Sequence, residues 1–454
     1  MPDGSSPNAW ASMPNAPASC SSMKPEAPNI SPKKFMTKFI TPAHIKGTLR
    51  APSSKSEMLR AVAAAYLTEK PCGIVNPSYC DDANAALGII ETLGVQLEME
   101  AERVRCTPAK PATHPSRLVL DCQESGLCIR MFPSIAALRE GEVTLTGHGS
   151  LTSRPLRMIE APLRDLGVQC RTNEGFPPVT VQGPLHAGTT TVDASTTSQF
   201  LTGLLMALPL CKGTSEIRVT SLRSSPYIAV TLNLLEKFGI QIEHDNFERF
   251  LIKGPQRYQV TSYHVDGDWS GAAFLLVAGA IAGDITVENL HPASSQADRA
   301  ILTALDTCGA TVEISDNAVR VHQRPRPLYG FTFDATDCPD LFPPLVALAS
   351  CCEGTSIIYG AQRLKVKESD RGTALLTEFT KMGASLALHP DRIEITGNLL
   401  DGGTVHSYND HRIAMACAVA GLRSRQGVTI QDWECVSKSY PAFFEDLQRV
   451  MEMP

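Results

Sequence analysis

Six stretches decide the fold: SSKSEMLRAVAAAYL (53–67), QESGLCIRMFPSIAAL (123–138), STTSQFLTGLLMALPL (195–210), GDWSGAAFLLVAGAI (267–281), DCPDLFPPLVALAS (337–350) and YNDHRIAMACAVAGL (408–422). Each opens on a small polar or charged cluster and runs into an Ala/Leu-rich segment of helical length. With Lys55, Ser125, Ser198, Ser270, Asp340 and Asp410 as markers, successive copies lie 70, 73, 72, 70 and 70 residues apart. A second signal keeps step. GVQLEM, GVQCRT, GIQIEH, GATVEI and GASLAL begin at Gly94, Gly167, Gly239, Gly309 and Gly383. Glycine there suits a left-handed helix C-cap, and the alternation after it reads as a strand. Each unit therefore holds two helices and several short strands. Repeats of about 20–50 residues make solenoids; units of this length have layers of their own. Six units at three per globule give two similar α/β domains.

The helical segments have no polar face, and helices apolar all round are buried in a domain centre. Three such helices then sit inside each domain with sheets outside, and their N-termini point to one end. Those N-termini carry Ser, Thr, Asp and Gly, which are good N-caps. A free helix N-terminus offers unpaired N–H groups and about half a positive charge. Six of them facing one cleft make an anion trap.

Composition narrows the classes. At 454 residues and 43% hydrophobic, the chain has room for two or three domains with real cores. A net charge of -6 argues against nucleic acid, which demands concentrated Lys and Arg. The longest apolar run, Ala272–Gly283, falls short of the ~20 residues that span a bilayer. Fourteen cysteines at irregular spacing, with no CxxC pair and no Cys/His cluster, read as reduced thiols in a cytoplasmic protein without bound metal. Residues 1–35 differ from the rest: the first 34 hold seven Pro and seven Ser, a disordered extension and not a secretory signal.

Cations gather at the helix starts and a few loops: Lys55 and Arg60, Arg130, Arg154, the run RLKVKESDR from Arg363 to Arg371, Arg412 and Lys438. Solvated surface charge explains any one of them. It explains the set poorly, because several adjoin apolar helix starts that should be buried.

At these residues the chain resembles the 5-enolpyruvylshikimate-3-phosphate synthases. The resemblance rests on SSKS with Arg60, STTSQF, Gly267-Asp268, Pro339-Asp340, KESDR (Lys367–Arg371), YNDHR (Tyr408–Arg412) and KSYP (Lys438–Pro441), in the family's order over about residues 38–450. It implies a two-domain inside-out α/β barrel, each domain of three βαβαββ units. One domain would be 36–53 plus 266–454, the other 54–265, with the active site in the cleft. The implied reaction transfers the enolpyruvyl group of phosphoenolpyruvate to the 5-hydroxyl of shikimate 3-phosphate. It needs no metal or organic cofactor and no partner beyond these small molecules, and the protein is expected to be a monomer.

By the same resemblance Lys55, Gly126, Arg154, Arg371, Arg412 and Lys438 hold phosphoenolpyruvate. Lys55, Ser56, Arg60, Thr197, Ser198, Gln199, Tyr227, Asp340 and Lys367 hold shikimate 3-phosphate. Asp340 is the base for the 5-hydroxyl, Glu368 moves the methyl-group proton, Lys55 assists, and His411 positions Arg412. Read without the family, Asp340 is a helix cap and Glu368 part of a surface charge cluster. Cations drawn from both halves repel, which favours an open cleft without ligand. The herbicide glyphosate occupies the phosphoenolpyruvate site in this family. Here the loop that usually reads Asn-Ala-Gly-Thr-Ala is Glu124-Ser125-Gly126-Leu127-Cys128, which bears on inhibitor affinity. Ser53 replaces a glycine, Lys365 an arginine and Arg363 a common asparagine. Weaker fits are the related transferase acting on UDP-N-acetylglucosamine, RNA 3'-phosphate cyclase, and a non-enzymatic anion-binding repeat protein.

Overall fold

One strand pattern recurs through six sheets. The computed structural model describes residues 36–108, 116–323 and 327–452; the N-terminal extension read from the sequence lies outside them. Arg117–Asp121 runs parallel to Glu142–Thr146, which is antiparallel to Phe176–Gln182, which is antiparallel to Gln169–Asn173. A helix joins the first two strands and a second helix precedes the hairpin, giving βαβαββ. The same order holds for the sheets built on Gly213–Thr220 and Thr355–Tyr359.

Two sheets take their first strand from far along the chain. Ser262–His264 lies parallel to Cys72–Val75, and Ile45–Arg50 parallel to Gly283–Glu288. The N-terminal strand Thr37–Ile40 pairs with Val428–Gln431 and completes the last sheet. The chain thus crosses between two sets of sheets after Arg50 and again after His264. The crossings meet at a bridge between Ser53 and Gly267, where Ser54 N–H donates to the Asp266 carbonyl at 2.8 Å and Asp268 N–H to that of Pro52 at 2.7 Å.

The inner helices are α1 (Lys55–Leu67), α2 (Gly126–Ala136), α3 (Gln199–Ala207), α4 (Trp269–Ala282), α5 (Phe342–Ser350) and α6 (His411–Gly421). Every α4 residue except Ser270 is buried, as the absence of a polar face requires. Buried apolar residues fall into two clusters. One spans 58–265 and contains α1, α2 and α3; the other joins 40–51 to 269–450 and contains α4, α5 and α6. The helices approach closely where a side chain is missing: a Cβ at Gly203 of α3 would lie 2.3 Å from the Met131 carbonyl of α2.

The five C-cap glycines all have φ between 81° and 100°. Four feed strands directly, but after Gly239 the strand begins only at Glu243. The Gln256 side chain takes the intervening ladder positions, accepting from Gln241 N–H and donating to the Gln241 carbonyl, both at 2.8 Å.

Candidate functional site

All six helix starts open on one cavity. Its wall includes Lys55 and Ser56 of α1, Gly126 and Leu127 of α2, Gln199 with Ser198 before it, and Asp268 and Ser270 at α4. Asp340 ahead of α5 and Arg412 of α6 complete it. Local caps fix these ends. Ser125 Oγ accepts from Cys128 N–H at 3.4 Å, Asp268 from Ser270 and Gly271 N–H, and Asp410 from Arg412 N–H at 3.0 Å. Asp340 caps nothing; it sits in the turn Pro339–Leu341 and points at cations.

Three cations converge on Asp340: Arg371 Nη1 at 2.9 Å, Lys367 Nζ at 3.1 Å and Arg412 Nη2 at 3.3 Å. Glu368 faces Arg371 at 2.6 Å and Arg154 at 3.3 Å. Burial opposes the charge of both carboxylates, yet the cations outweigh it and hold both well below the usual carboxylate range. For Asp340 the chief cation is Arg412, for Glu368 it is Arg154. Lys55 pairs with Asp82 at 3.1 Å. Burial lowers its ammonium, but Asp82 and Glu368 prevail and raise it. His411 is buried with neither ring nitrogen hydrogen-bonded, and burial next to Lys55 and Arg412 keeps it neutral.

Thirteen of the fifteen residues assigned from the motifs line this cavity. Lys55, Ser56, Arg60, Gly126, Arg154, Thr197 and Ser198 do so, as do Gln199, Tyr227, Asp340, Lys367, Glu368 and Arg412. Two stand elsewhere. Arg371 lies behind the wall, fully buried, with its donors on Asp340, Glu368 and Asp410. Lys438 lies in an adjoining hollow, where Glu124 accepts from its ammonium at 2.9 Å.

The wall also holds residues outside the motif assignment: Asp82, Arg130, Ser224, Asp268, Ser270 and Arg363. Arg130 bonds Gln199 Oε1 at 2.8 Å and has no carboxylate partner among the described residues. Burial, then neighbouring Arg154, pulls its pKa down to about 9.

The family model for EPSP synthase (3-phosphoshikimate 1-carboxyvinyltransferase) matches residues 40–447. The chain belongs to the EPSP synthase family. The 3-phosphoshikimate 1-carboxyvinyltransferase of Clostridium acetobutylicum is 38% identical over 417 residues, covering 90% of this chain and 96% of that one. The enzyme of the same name from Methanocorpusculum labreanum is 35% identical over 418 residues, covering 91% and 98%. A solved EPSP synthase of Acinetobacter baumannii superposes with a TM-score of 0.77 at 26% identity, over 91% of this chain and 98% of that one. The enolpyruvyl transferase NikO of Streptomyces tendae shares the fold at 0.71 and 18% identity, over 91% and 97%. The inside-out α/β barrel expected from the motifs is the fold of this family member.

The mutual repulsion expected of the site's cations is not what the cavity contains. Carboxylates from one core meet cations from the other: Glu368 with Arg154, and Glu124 with Lys438. Tyr227 Oη also reaches Asp340 at 3.5 Å. Sequence reading named Glu368, Asp340 and Glu124 but did not pair them with these cations.

One buried acid carries a pH signature. Asp298 accepts from Ser270 Oγ, while its Oδ1 is buried without a partner. Burial, and then Asp340, lifts its pKa to about 7. A carboxyl raised in the fold takes up a proton on folding, so its contribution is full below the unfolded value near 3.9 and lost as pH rises through about 7. Asp298→Asn keeps an acceptor for Ser270 and removes this slope, up to ~1.4 kcal/mol per pH unit at its steepest. Melting temperatures from pH 4 to 8 should fall less with pH in the variant than in wild type. Parallel curves would show that Asp298 does not titrate there.

Proposed function

We propose that this chain transfers the enolpyruvyl group of phosphoenolpyruvate to the 5-hydroxyl of shikimate 3-phosphate and releases inorganic phosphate, a step of aromatic amino acid and chorismate biosynthesis. One observation carries the reading: cations and two ionised carboxylates from both buried cores line a single cavity. Both substrates are polyanions, and fixed cations in a largely buried site stabilise charge as it develops. The two cores are proposed as the two domains, 36–53 with 266–454 and 54–265. The protein acts as a cytoplasmic monomer on small molecules, with neither nucleic acid nor membrane as partner and without metal or organic cofactor.

In this reading Arg154, Gly126, Lys55 and Arg412 receive phosphoenolpyruvate, with Lys438 at the edge and Arg371 bracing the acids from behind. Ser56, Arg60, Thr197, Ser198, Gln199, Tyr227 and Lys367 receive shikimate 3-phosphate. Asp340 takes the 5-hydroxyl proton, and Glu368 delivers a proton to the methylene carbon and removes it again. Three cations make Asp340 a weak base on their own. Two bound polyanions share Lys367 and Arg412 with it, which raises its basicity when the hydroxyl is in place. Phosphate release from phosphoenolpyruvate should depend on shikimate 3-phosphate. Release with UDP-N-acetylglucosamine instead would favour the related transferase.

Glu124 gives this reading an inhibitor prediction. It bonds Lys438, accepts from Ser150 Oγ at 3.2 Å and lies 3.5 Å from Asn409 Nδ2, while Leu127 sits in the cavity wall. An anion seeking Lys438 must displace a carboxylate already there. Glyphosate therefore competes with phosphoenolpyruvate, but weakly. Glu124→Asn with Leu127→Thr should lower the inhibition constant about 1.5- to 5-fold, the range of one partly exposed ion pair. An unchanged constant would free the loop of any part in inhibitor affinity.

A further inference from the structure

A buried carboxylate that the reaction does not use lies behind the cavity. Glu378 is fully buried on the helix Arg371–Lys381, about two turns beyond Arg371 and on the same face. Its Oε1 accepts from Tyr408 Oη at 2.7 Å and its Oε2 from His406 N–H at 3.0 Å. Lys381 Nζ donates to the two oxygens at 2.8 and 2.9 Å. The lysine alone would balance the charge. The bonds to His406 and Tyr408 do something further: they tie this helix to the connection 406–410 that leads into α6.

That connection is strained. Tyr408 and Asn409 have φ of 56° and 54°, a left-handed conformation that residues other than glycine adopt only where their surroundings hold them. Tyr408 N–H donates to His406 Nδ1 at 2.8 Å, Asn409 N–H to Ser407 Oγ at 3.2 Å and Asp410 N–H to the Ser407 carbonyl at 2.9 Å. Two groups of the site depend on where it lies. Asp410 caps α6 at Arg412 N–H and accepts from Arg371 Nε at 3.0 Å. Ser407 Oγ donates to the Asp432 carbonyl at 2.9 Å, immediately before the turn Trp433–Lys438. Arg371 and Glu378 therefore grip the connection at two points, one through Asp410 and the other through Tyr408 and His406. Neither Glu378 nor Tyr408 lines the cavity.

We propose that Glu378, acting through Tyr408, is a positioning residue for the phosphoenolpyruvate end of the cavity. It fixes the strained connection, and with it the placement of Arg412 at the start of α6 and of Lys438 at the end of the neighbouring turn. The inference rests on the reaction proposed above. Shikimate 3-phosphate is received chiefly by side chains of the other buried core, so its binding should not feel the change.

Steady-state constants for Tyr408→Phe, Glu378→Ala, Glu378→Gln and the double variant Glu378→Ala with Tyr408→Phe test this, alongside melting temperatures and calorimetric binding of shikimate 3-phosphate. Tyr408 is 40% exposed, so losing its hydroxyl should leave the fold intact. Tyr408→Phe should raise the KM for phosphoenolpyruvate about 3- to 10-fold with kcat within about 2-fold, inside the loss that one hydrogen bond to a charged acceptor can cause. Shikimate 3-phosphate binding should change less than about 2-fold. Glu378→Ala should raise the same KM about 10- to 100-fold. Glu378→Gln should recover most of that, because it keeps an oxygen for His406 N–H and an amide that can donate to the Tyr408 oxygen. The double variant should be no worse than Glu378→Ala, since both changes break one link. Variants that melt lower yet keep the KM for phosphoenolpyruvate would make Glu378 a structural acid only and overturn the proposal. Equal weakening of both substrates, or effects that add in the double variant, would overturn it too. Wild type that releases no phosphate from phosphoenolpyruvate with shikimate 3-phosphate present overturns the parent reading along with it.

Discussion

Glu368→Gln and Asp340→Asn should each lower kcat at least ~100-fold, the scale of a lost general acid or base. Both replacements keep the size of the side chain, remove its charge and turn one acceptor oxygen into an amide donor. The two should differ in stability. Asp340 compensates Arg371, Lys367 and Arg412, all within 3.3 Å. Its neutralisation leaves three clustered cations, and an uncompensated buried charge costs about 3–5 kcal/mol. Glu368 compensates Arg154 and shares Arg371 with Asp340 and Asp410, so its loss should cost less. Substrate anions can replace the missing charge. Shikimate 3-phosphate should therefore raise the melting temperature of Asp340→Asn more than that of wild type. Turnover within a few-fold of wild type in a folded variant would remove that residue from the proton transfers.

The framework was readable because its signals are local. A polar N-cap cluster, an apolar helix and a glycine C-cap each act over a few residues, so their recurrence reports six like units. The motif residues at helix starts converge because buried helices leave their N-termini one way to face. Charge compensation was not readable. Asp82 meets Lys55 only through the placement of the helix Asp81–Thr92 beside α1, and Glu124 meets Lys438 from the other buried core. Ser224 reaches the wall from a left-handed residue in a loop with no motif. Asp340 shows the ambiguity best. Its position before an apolar helix fits a cap, and only the folded cations show that it is held for something else.

Arg371 carries the largest expected effect on stability. Its side chain is fully buried, with Nε 3.0 Å from Asp410 Oδ2, Nη1 2.9 Å from Asp340 and Nη2 2.6 Å from Glu368. Burial works against its charge, but Asp410, Glu368 and Asp340 outweigh that and hold its pKa above the ordinary arginine value. Arg371→Met keeps much of the bulk and leaves three carboxylates facing one another. Breaking such a buried network costs about 3–5 kcal/mol, or roughly 3–6 °C in melting temperature for a chain of this size. The deficit should depend on pH in a definite direction. Without the guanidinium Asp340 and Glu368 each lose one of the cations that depress them, so their carboxyls rise, the folded variant binds protons that wild type does not, and its deficit grows as pH rises. The gap to wild type should be smaller at pH 5 than at pH 8. A gap equal at both values would assign the loss to packing alone. A variant that melts like wild type and loses only affinity for phosphoenolpyruvate would return Arg371 to the direct substrate contact its motif implies. Four of the five Arg371 N–H donors go to Asp340, Glu368 and Asp410, so the arginine fixes the position of the two acids whether or not its remaining donor also meets the substrate.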